Sequence, residues 1–458
     1  MKALGFFYSW SGRRQLDPYF GSFARAFAEL GIELEIVFAN ELLEPGRGMA
    51  SLHPLVDEKR LLAAIRKRRP DFLFSVNNAG MTPAVTAGAG VPVIKWLVDD
   101  VPHLFFHAGE AAETFGNGET IVCYTSTLAA EIERAFPQSR GRVSFVSHGT
   151  DLRPSDFTGS PGELPVSFVG SCLDWQPLVR VLDVGKRHGV TGEILAWLAA
   201  TRDDYARVGE NWAPSPALRA ALAESGMGEL HFRRLLSDVA TTQARVEGLR
   251  RVADLGLHLY GNALWLQTLS GTSELAEHFE FTRPVDSHRR LMEVYGASRI
   301  SVNIPNVQNC AGLAARVFDV MASPSLLVTQ YHPDSDLVRL FGEDCPVPMY
   351  RDLDDLRRIC SHFLGNEPER LDLVRRCNLL IGERFALAGR LRQMLALAGL
   401  SAEGLVAPAA PARILPVRHF FAVPRSLPAL WRATRFGTRT STLRIGRAAA
   451  KAARKALP

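Results

Sequence analysis

The sequence predicts an α/β protein with two doubly wound domains facing a central cleft, a helical insertion in the second domain and a basic tail. Three observations lead there. Short, nearly continuous apolar runs alternate with amphipathic stretches over residues 1–150, the rhythm of βα units around a parallel sheet covered on both faces. A stretch at 152–165, LRPSDFTGSPGELP, holds three Pro and two Gly and reads as a linker. The alternation then restarts at Val166. The length of 458 residues agrees, since a domain takes roughly 150 residues.

The elements follow in order. Lys2–Tyr8 is a short apolar strand. Phe20–Leu30 has helical spacing and ends at Gly31. Glu33–Ala39 is a β-branched strand, Asp57–Lys67 a helix and Phe72–Val76 a strand. Val91–Val98 and Thr120–Thr125 are strands, Thr127–Phe136 a Thr-capped helix and Val143–Ser147 a strand. After the linker, Val166–Gly170 is a strand and Leu182–Arg251 is mostly helical. Leu257–Tyr260 is a strand, Leu291–Ser298 a helix, Ile300–Ile304 a strand, Ala314–Met321 a helix and Leu326–Thr329 a strand. Leu353–Leu364, Glu367–Asn378 and Ile381–Ala398 are helices. The expected domains are 1–155, 156–400 with its insertion at about 182–251, and a tail over 401–458. Ligands of such sheets bind at the carboxyl ends of the strands, so the cleft between two facing sheets is the expected site.

Charge is divided unevenly. The net charge is +5, but the segment from Ser401 carries nine Arg, two Lys and one acid, or +10. Residues 1–400 therefore carry about −5, the wrong sign for a body built around nucleic acid. Six cysteines at 123, 172, 310, 345, 360 and 377 form no C-x-x-C pair and read as reduced packing thiols of a cytoplasmic protein. The N-terminus lacks the pattern of a signal peptide, and no apolar run of 18 residues predicts a transmembrane helix.

The common signatures are missing: no P-loop, no G-x-G-x-x-G after the first strand, no H-E-x-x-H and no G-x-S-x-G. Asp334-Ser335-Asp336 has the form of a metal-binding D-x-D but stands just before the helix Leu337–Phe341, where acids and Ser favour the N-terminus. Asp203-Asp204 reads as a solvated face. No metal site is expected.

The densest pattern is ISVNIPNVQNCAGLAARVFDVMASPSLLVT at 300–329. A strand ends near Asn303, a polar loop carries Asn306, Gln308 and Asn309, and Gly312 opens a helix. Arg316 and Asp319, three apart, share a helical face. Free N–H groups, a cation and a carboxylate at the mouth of a sheet suit a diphosphate and a ribose diol. An ordinary βα turn with an i,i+3 ion pair explains the same residues.

This segment resembles the nucleotide-binding segment of GT-B glycosyltransferases, most nearly the spore-maturation CgeB-like branch, in which a Gly, then R-x-F-E, then Ala-x-Gly precede a strand. The matching residues are Gly312, Arg316-Val317-Phe318-Asp319 and Ala322-Ser323-Pro324. Further pieces come in the same order: Val166–Ser171 resembles the first strand and turn of the family's C-terminal domain, and Leu257–Asn262 its "lxlyG" strand. Asp352–Arg376 resembles its late helices, Lys95–Pro102 the "wxxDdP" strand end, and His148-Gly149-Thr150-Asp151 the "nGvD" turn. The likeness spans about 1–395. Asp319 stands where the family usually has Glu, and Pro324 where it usually has Gly.

The resemblance implies two Rossmann-like domains that bind a nucleotide-sugar, UDP- or GDP-linked, in the C-terminal half and an acceptor in the N-terminal half, without metal or other cofactor. It assigns the donor to Gly170, Ser171, Tyr260, Gly261, Asn309, Gly312, Arg316 and Asp319, with Arg316 facing the diphosphate and Asp319 the ribose. Tyr8, Ser9 and Gly12 fall where family members carry a loop near the donor phosphates. The acceptor would be a cell-surface glycan, a lipid-linked sugar or a protein. An inverting transferase needs a general base, and Asp99, Asp100 and His103, just after a strand end, are the candidates. A capping or loop carboxylate at Asp100 and a packing or surface histidine at His103 are the alternatives. A GT-B nucleotide-sugar epimerase and an inactive GT-B-like module in surface assembly are the competing readings.

In the tail, Arg444, Arg447, Lys451 and Arg454 share one helical face near Phe420, Phe421, Trp431 and Phe436. That is the pattern of a membrane-surface anchor at residues 419–458, placing the protein in the cytoplasm at the inner face of the membrane. A solvated helix has the same pattern.

Overall fold

The computed structural model describes residues 1–8, 16, 18–38, 58–104, 115, 118–270, 273–282, 285, 287–342 and 344–416. The first domain holds β1 (Lys2–Phe7), β2 (Glu33–Phe38), β3 (Phe72–Val76), β4 (Val93–Leu97), β5 (Glu119–Cys123) and β6 (Val143–Phe145). The second holds β7 (Leu164–Val169), β8 (Leu257–Tyr260), β9 (Ser298–Asn303), β10 (Leu326–Gln330) and β11 (Met349–Tyr350). A final strand, β12 (Arg413–Ile414), returns to the first sheet. The sheets run β12-β2-β1-β3-β4-β5-β6 and β11-β10-β9-β7-β8. Every pairing is parallel, from Lys2↔Glu33 and Val93↔Glu119 to Val166↔Leu257 and Leu326↔Ile300. These are the two doubly wound domains that the alternation predicts.

Apolar runs make these strands because helices cover both faces. β3 and β4 are buried at every position, and each fully buried Leu, Ile or Phe contributes roughly 1.5–3 kcal/mol relative to exposure. Lys95 is the polar exception in β4. It lies 3.8 Å from Glu119, which Arg142 approaches at 3.2 Å. Burial holds the Lys95 ammonium down to about 8.

The insertion between β7 and β8 comprises Gln176–Arg187, Thr191–Asp203, Tyr205–Glu210, Pro216–Ser225 and Glu229–Val252. It builds its own core from Leu178, Val181, Ile194, Leu218, Phe232 and Leu236. The long last helix then continues into the second domain's core through Leu249 and Val252.

The last helix before residue 400 returns to the first domain. The helix Leu387–Leu397 places Leu387, Leu391, Met394 and Leu395 in the first domain's core. Arg413 then pairs with Glu35 beside β2. Amphipathic spacing shows that such a helix has an apolar face, not which domain receives it. Both crossings between domains are stitched together: Thr150 donates to the Phe385 carbonyl at 3.1 Å, and Leu387 donates to the Thr150 carbonyl at 2.9 Å. No helix among the described residues is long and apolar enough to cross a membrane. Ser9, Gly12 and the candidate anchor at 419–458 lie outside the described residues.

Candidate functional site

On the first domain's side, the site starts at the carboxyl ends of β3 and β4. Asn77 and Asn78 take the left-handed conformation, φ 50° and 60°, which Asn tolerates better than most residues. The turn brings the Asn77 amide onto the Val98 N–H at 2.8 Å and onto the Asp99 carboxylate at 2.7 Å. Burial pushes the Asp99 carboxyl up to about 6, against the pull of His103 and Asn77.

Asp100 and His103 are differently engaged. Asp100 Oδ1 meets His103 Nδ1, and its Oδ2 accepts from the Tyr205 hydroxyl. On the other side of the ring, His103 Nε2 lies 3.4 Å from Asp238 Oδ1 and 3.4 Å from the Gln308 amide. Tyr205 and Asp238 belong to the insertion, and Gln308 to the loop after β9. Burial disfavours the charged ring, but Asp100 and then Asp238 outweigh it and hold the imidazolium up to about 10. The Asp100 carboxyl is buried yet held low, by His103 first and then by its hydrogen bonds. A doubly paired cation has no lone pair with which to accept a proton. Asp100 and His103 thus form an interdomain clamp, whereas Asp99 is bonded through one oxygen, to Asn77, among the described residues.

On the second domain's side, Gly170 and Gly261 sit where two backbones nearly touch. A Cβ on Gly261 would stand 2.4 Å from the Gly170 carbonyl oxygen, and one on Gly170 would stand 2.8 Å from Arg316. Trp265 Nε1 donates to the Gly170 carbonyl at 2.8 Å. Tyr260 is buried beneath Arg290, whose guanidinium lies 5.8 Å from the ring. Arg316 does not pair with Asp319. It donates to the Val169 carbonyl at 2.8 Å and lies 5.8 Å from the centre of the Phe168 ring.

Arg245 of the insertion's last helix lies 5.7 Å from the same ring. It donates to the Ser171 carbonyl and to Asn306, and it is only 2% exposed. Burial, then Arg316, lowers the Arg245 guanidinium to about 9. Burial lowers Arg316 as well. Neither cation meets a carboxylate among the described residues, so positive charge accumulates at the carboxyl ends of β7 and β9.

Two sequence candidates have other close partners, and a third faces the cleft. Asp319 accepts from the Thr150 hydroxyl at 2.6 Å, and burial raises its carboxyl to about 7. The helix it occupies begins at Ala315, three residues past Gly312. At Gly312 a Cβ would stand 2.2 Å from Thr125 Cγ2 of the first domain. Asn309 ends the short turn Val307–Asn309 and faces the interdomain cleft. Beside it, the D-x-D segment caps a helix and joins the domains. Ser335 accepts from Leu337 N–H at 3.1 Å, while Asp336 receives Ser126 N–H at 3.1 Å and Oγ at 2.6 Å.

A cleft of about 1280 Å³ opens between the domains, walled by the ends of β4, β5, β9, β10 and β11 and by the insertion. Sequence reasoning missed Asn77, Glu131, Tyr205, Arg233, Asp238 and Arg245. One signal was present for the last helix: Leu235–Thr242 carries a single charge, and a helix without a polar face is a buried one.

Residues 233–396, which run from the insertion's last helix to the helix Leu387–Leu397, match the family described as glycosyl transferase-like. No curated protein sequence matches the chain. Sucrose-phosphate synthase of Thermosynechococcus elongatus is similar over 86% of this chain and 98% of its own, at 11% identity and a TM-score of 0.49. WaaG, a glycosyltransferase involved in lipopolysaccharide biosynthesis, is similar over 87% and 100%, at 11% identity and 0.47. Anabaena HepE, solved in complex with UDP and glucose, is similar over 87% and 100%, at 10% identity and 0.46.

Proposed function

We propose that this chain is a glycosyltransferase that moves a sugar from a UDP- or GDP-linked donor to a hydroxyl of a cell-surface glycan, a lipid-linked sugar or a protein. One observation carries the reading. Arg245 and Arg316 flank Phe168 without a carboxylate partner among the described residues, inside the stretch whose sequence matches the glycosyltransferase-like family. Cations held by backbone carbonyls, one buried and one half-buried, suit a diphosphate, whose charge each guanidinium meets more strongly away from bulk water. The same pair stabilises the leaving nucleoside diphosphate, with no metal required. The second Asp319 oxygen is available to a ribose diol. The finer likeness to the CgeB-like branch rests on the motifs at 166–171, 257–262 and 312–324.

Of the three candidate bases, Asp99 fits the chemistry. The acceptor oxygen bonds to the anomeric carbon, and the bond from that carbon to the diphosphate oxygen breaks with its electron pair. The acceptor proton passes to Asp99. A base must be ionised, so turnover falls as pH drops through about 6.

The test is a panel of uridine, guanosine, cytidine and thymidine diphosphates followed by thermal shift, then turnover of the matching nucleotide-sugars. A stabilising diphosphate and its release from the sugar are expected. Arg316→Ala should weaken that diphosphate at least tenfold, and Asp99→Asn should leave binding intact while slowing turnover ~100-fold or more. A chain that binds none of the four sinks the reading, and epimer formation without an acceptor replaces transfer by epimerisation. The basic segment 419–458 would hold the enzyme to anionic lipid at the inner face of the cell membrane. A chain ending at 416 should lose binding to phosphatidylglycerol vesicles, and unchanged binding removes the anchor.

A further inference from the structure

One residue ties the turn after β3 to the end of β4 three times. The Asn77 N–H donates to the Trp96 carbonyl at 2.8 Å. Its amide oxygen accepts from the Val98 N–H at 2.8 Å, and its NH2 group donates to Asp99 Oδ2 at 2.7 Å. β3 pairs with β4 as far as Val76↔Trp96, so the Asn77 side chain continues the ladder after the backbone turns away. The turn is closed from within. The Ala79 N–H donates to the Val76 carbonyl at 3.0 Å, and the Ser75 hydroxyl donates to the Ala79 carbonyl at 2.8 Å. Asn77 itself is completely buried.

These bonds fix which way the amide points. A backbone N–H only donates, so the atom facing Val98 is the amide oxygen and the atom facing Asp99 is the NH2 nitrogen. A hydrogen bond of that sense favours the carboxylate over the acid. Exposure separates Asp99 from its neighbours, since Asp100 and His103 are 4% and 6% exposed and Asp99 is half-buried. The titratable and charged groups around Asp99 are Tyr8 after β1, Tyr124 after β5, Asp100 and His103 on its own segment, and Arg234 of the insertion's last helix. Arg234 is paired with Asp238 at 3.6 Å, and the hydrogen bond that Asp99 accepts comes from Asn77.

We propose that Asn77 is the positioning residue for the base: it pins one oxygen of Asp99, holds the carboxylate in one orientation, and leaves the other oxygen to take the acceptor hydroxyl's proton. Resting on the glycosyl-transfer reading, Asn77 acts through Asp99 and touches no substrate. The proton passes from the acceptor oxygen to Asp99, that oxygen bonds to the anomeric carbon, and the electron pair of the broken bond leaves with the diphosphate.

The test compares three variants of the full chain: Asn77→Asp, Asn77→Gly, and the exchange that combines Asn77→Asp with Asp99→Asn. Asp tolerates the left-handed turn and keeps an oxygen for the Val98 N–H, but sets an oxygen against Asp99 where the NH2 stood. Two carboxylates so placed hold a proton between them. Gly accepts the turn and removes the amide. In the wild type, kcat/KM falls on the acid side near the Asp99 value of about 6. Both single variants should move that fall to higher pH, Asn77→Asp by about one unit or more, with turnover returning as pH rises further. A side chain that only supported the turn would lower turnover alike at every pH. The exchange restores a donor and an acceptor with their places reversed, so the melting temperature should recover toward wild type while turnover stays as low as in Asp99→Asn. An acid limb unmoved in both single variants, or turnover recovered by the exchange, overturns the role of Asn77. A second readout needs no turnover. The carboxyl carbon NMR signal of Asp99, identified by its loss in Asp99→Asn, should titrate at higher pH in Asn77→Gly than in wild type, and an unmoved midpoint overturns the hold on Asp99. The two readings fail separately. A chain that turns over nucleotide-sugar with an unmoved acid limb loses only the role of Asn77, and one without turnover whose Asp99 midpoint still follows Asn77 keeps that hold and loses the transferase.

Discussion

At the residue scale, position after a strand was legible and partnership was not. Asp99, Asp100 and His103 stand together at the end of β4, as their place in the sequence indicates. Their division of labour comes from Tyr205 and Asp238 of the insertion and from Gln308 of the loop after β9, more than a hundred residues away. The clamp makes a pH prediction. The His103 ring is raised from its ordinary 6.5 to about 10, so its contribution is fully present below 6.5 and is lost as pH rises through 10. Urea unfolding at pH 6.5, 8, 9.5 and 10.5 should therefore show wild type losing stability relative to His103→Gln across that window. Parallel profiles for the two proteins would mean that the ring is uncharged in the fold.

At the element scale, the strands were legible because parallel strands buried on both faces are written as apolar runs, and β8 occupies the predicted residues. β11 and β12, each of two residues, are too short to show periodicity. The helix Pro83–Gly88 was overlooked although Thr82 caps it, accepting from Val85 N–H at 3.1 Å, with Pro at the first position. The loop Asn306–Gly312 was recognised as special for its Gly. That glycine is required by an approach between domains, which no local pattern encodes. Thr125 caps the helix Ser126–Ala135, accepting from Leu128 N–H at 3.0 Å, and presses its methyl against Gly312. Gly312→Ala should cost on the order of 1–3 kcal/mol. Thr125→Ser keeps the capping oxygen and removes the methyl, so it should recover most of that loss when the two are combined. Denaturant midpoints of the four proteins give the coupling, and strict additivity would show that the contact is not the cause.

At the scale of the whole molecule, the chain visits the first domain twice, and the cleft depends on the second visit. Helix Leu387–Leu397 and β12 complete a core begun by β1 and β2, while the linker at Thr150 is bonded to the backbone at Phe385 and Leu387. The sheets are thus joined by two crossings tied to each other, so relative motion of the domains must bend both together. An ion pair between Arg25 of the first domain and Asp151 of the linker, with His288 of the second domain 3.0 Å from Arg25, adds a third contact on that side. The clamp at His103 and the Asp336–Ser126 bonds close the other. A cut at the expected boundary of 400 would therefore remove β12 and expose the β2 edge, and a cut at 386 would strip five core side chains, each worth ~2–5 kcal/mol when truncated. Against a typical total of 5–15 kcal/mol, that loss exceeds what the first domain can sustain. A chain ending at 386 should fail to fold or should aggregate. One ending at 416 should keep the wild-type melting transition, nucleotide affinity and turnover in solution. A folded, nucleotide-binding chain at 386 would show that the returning helix is an accessory, and would detach the closure of the cleft from the first domain's stability.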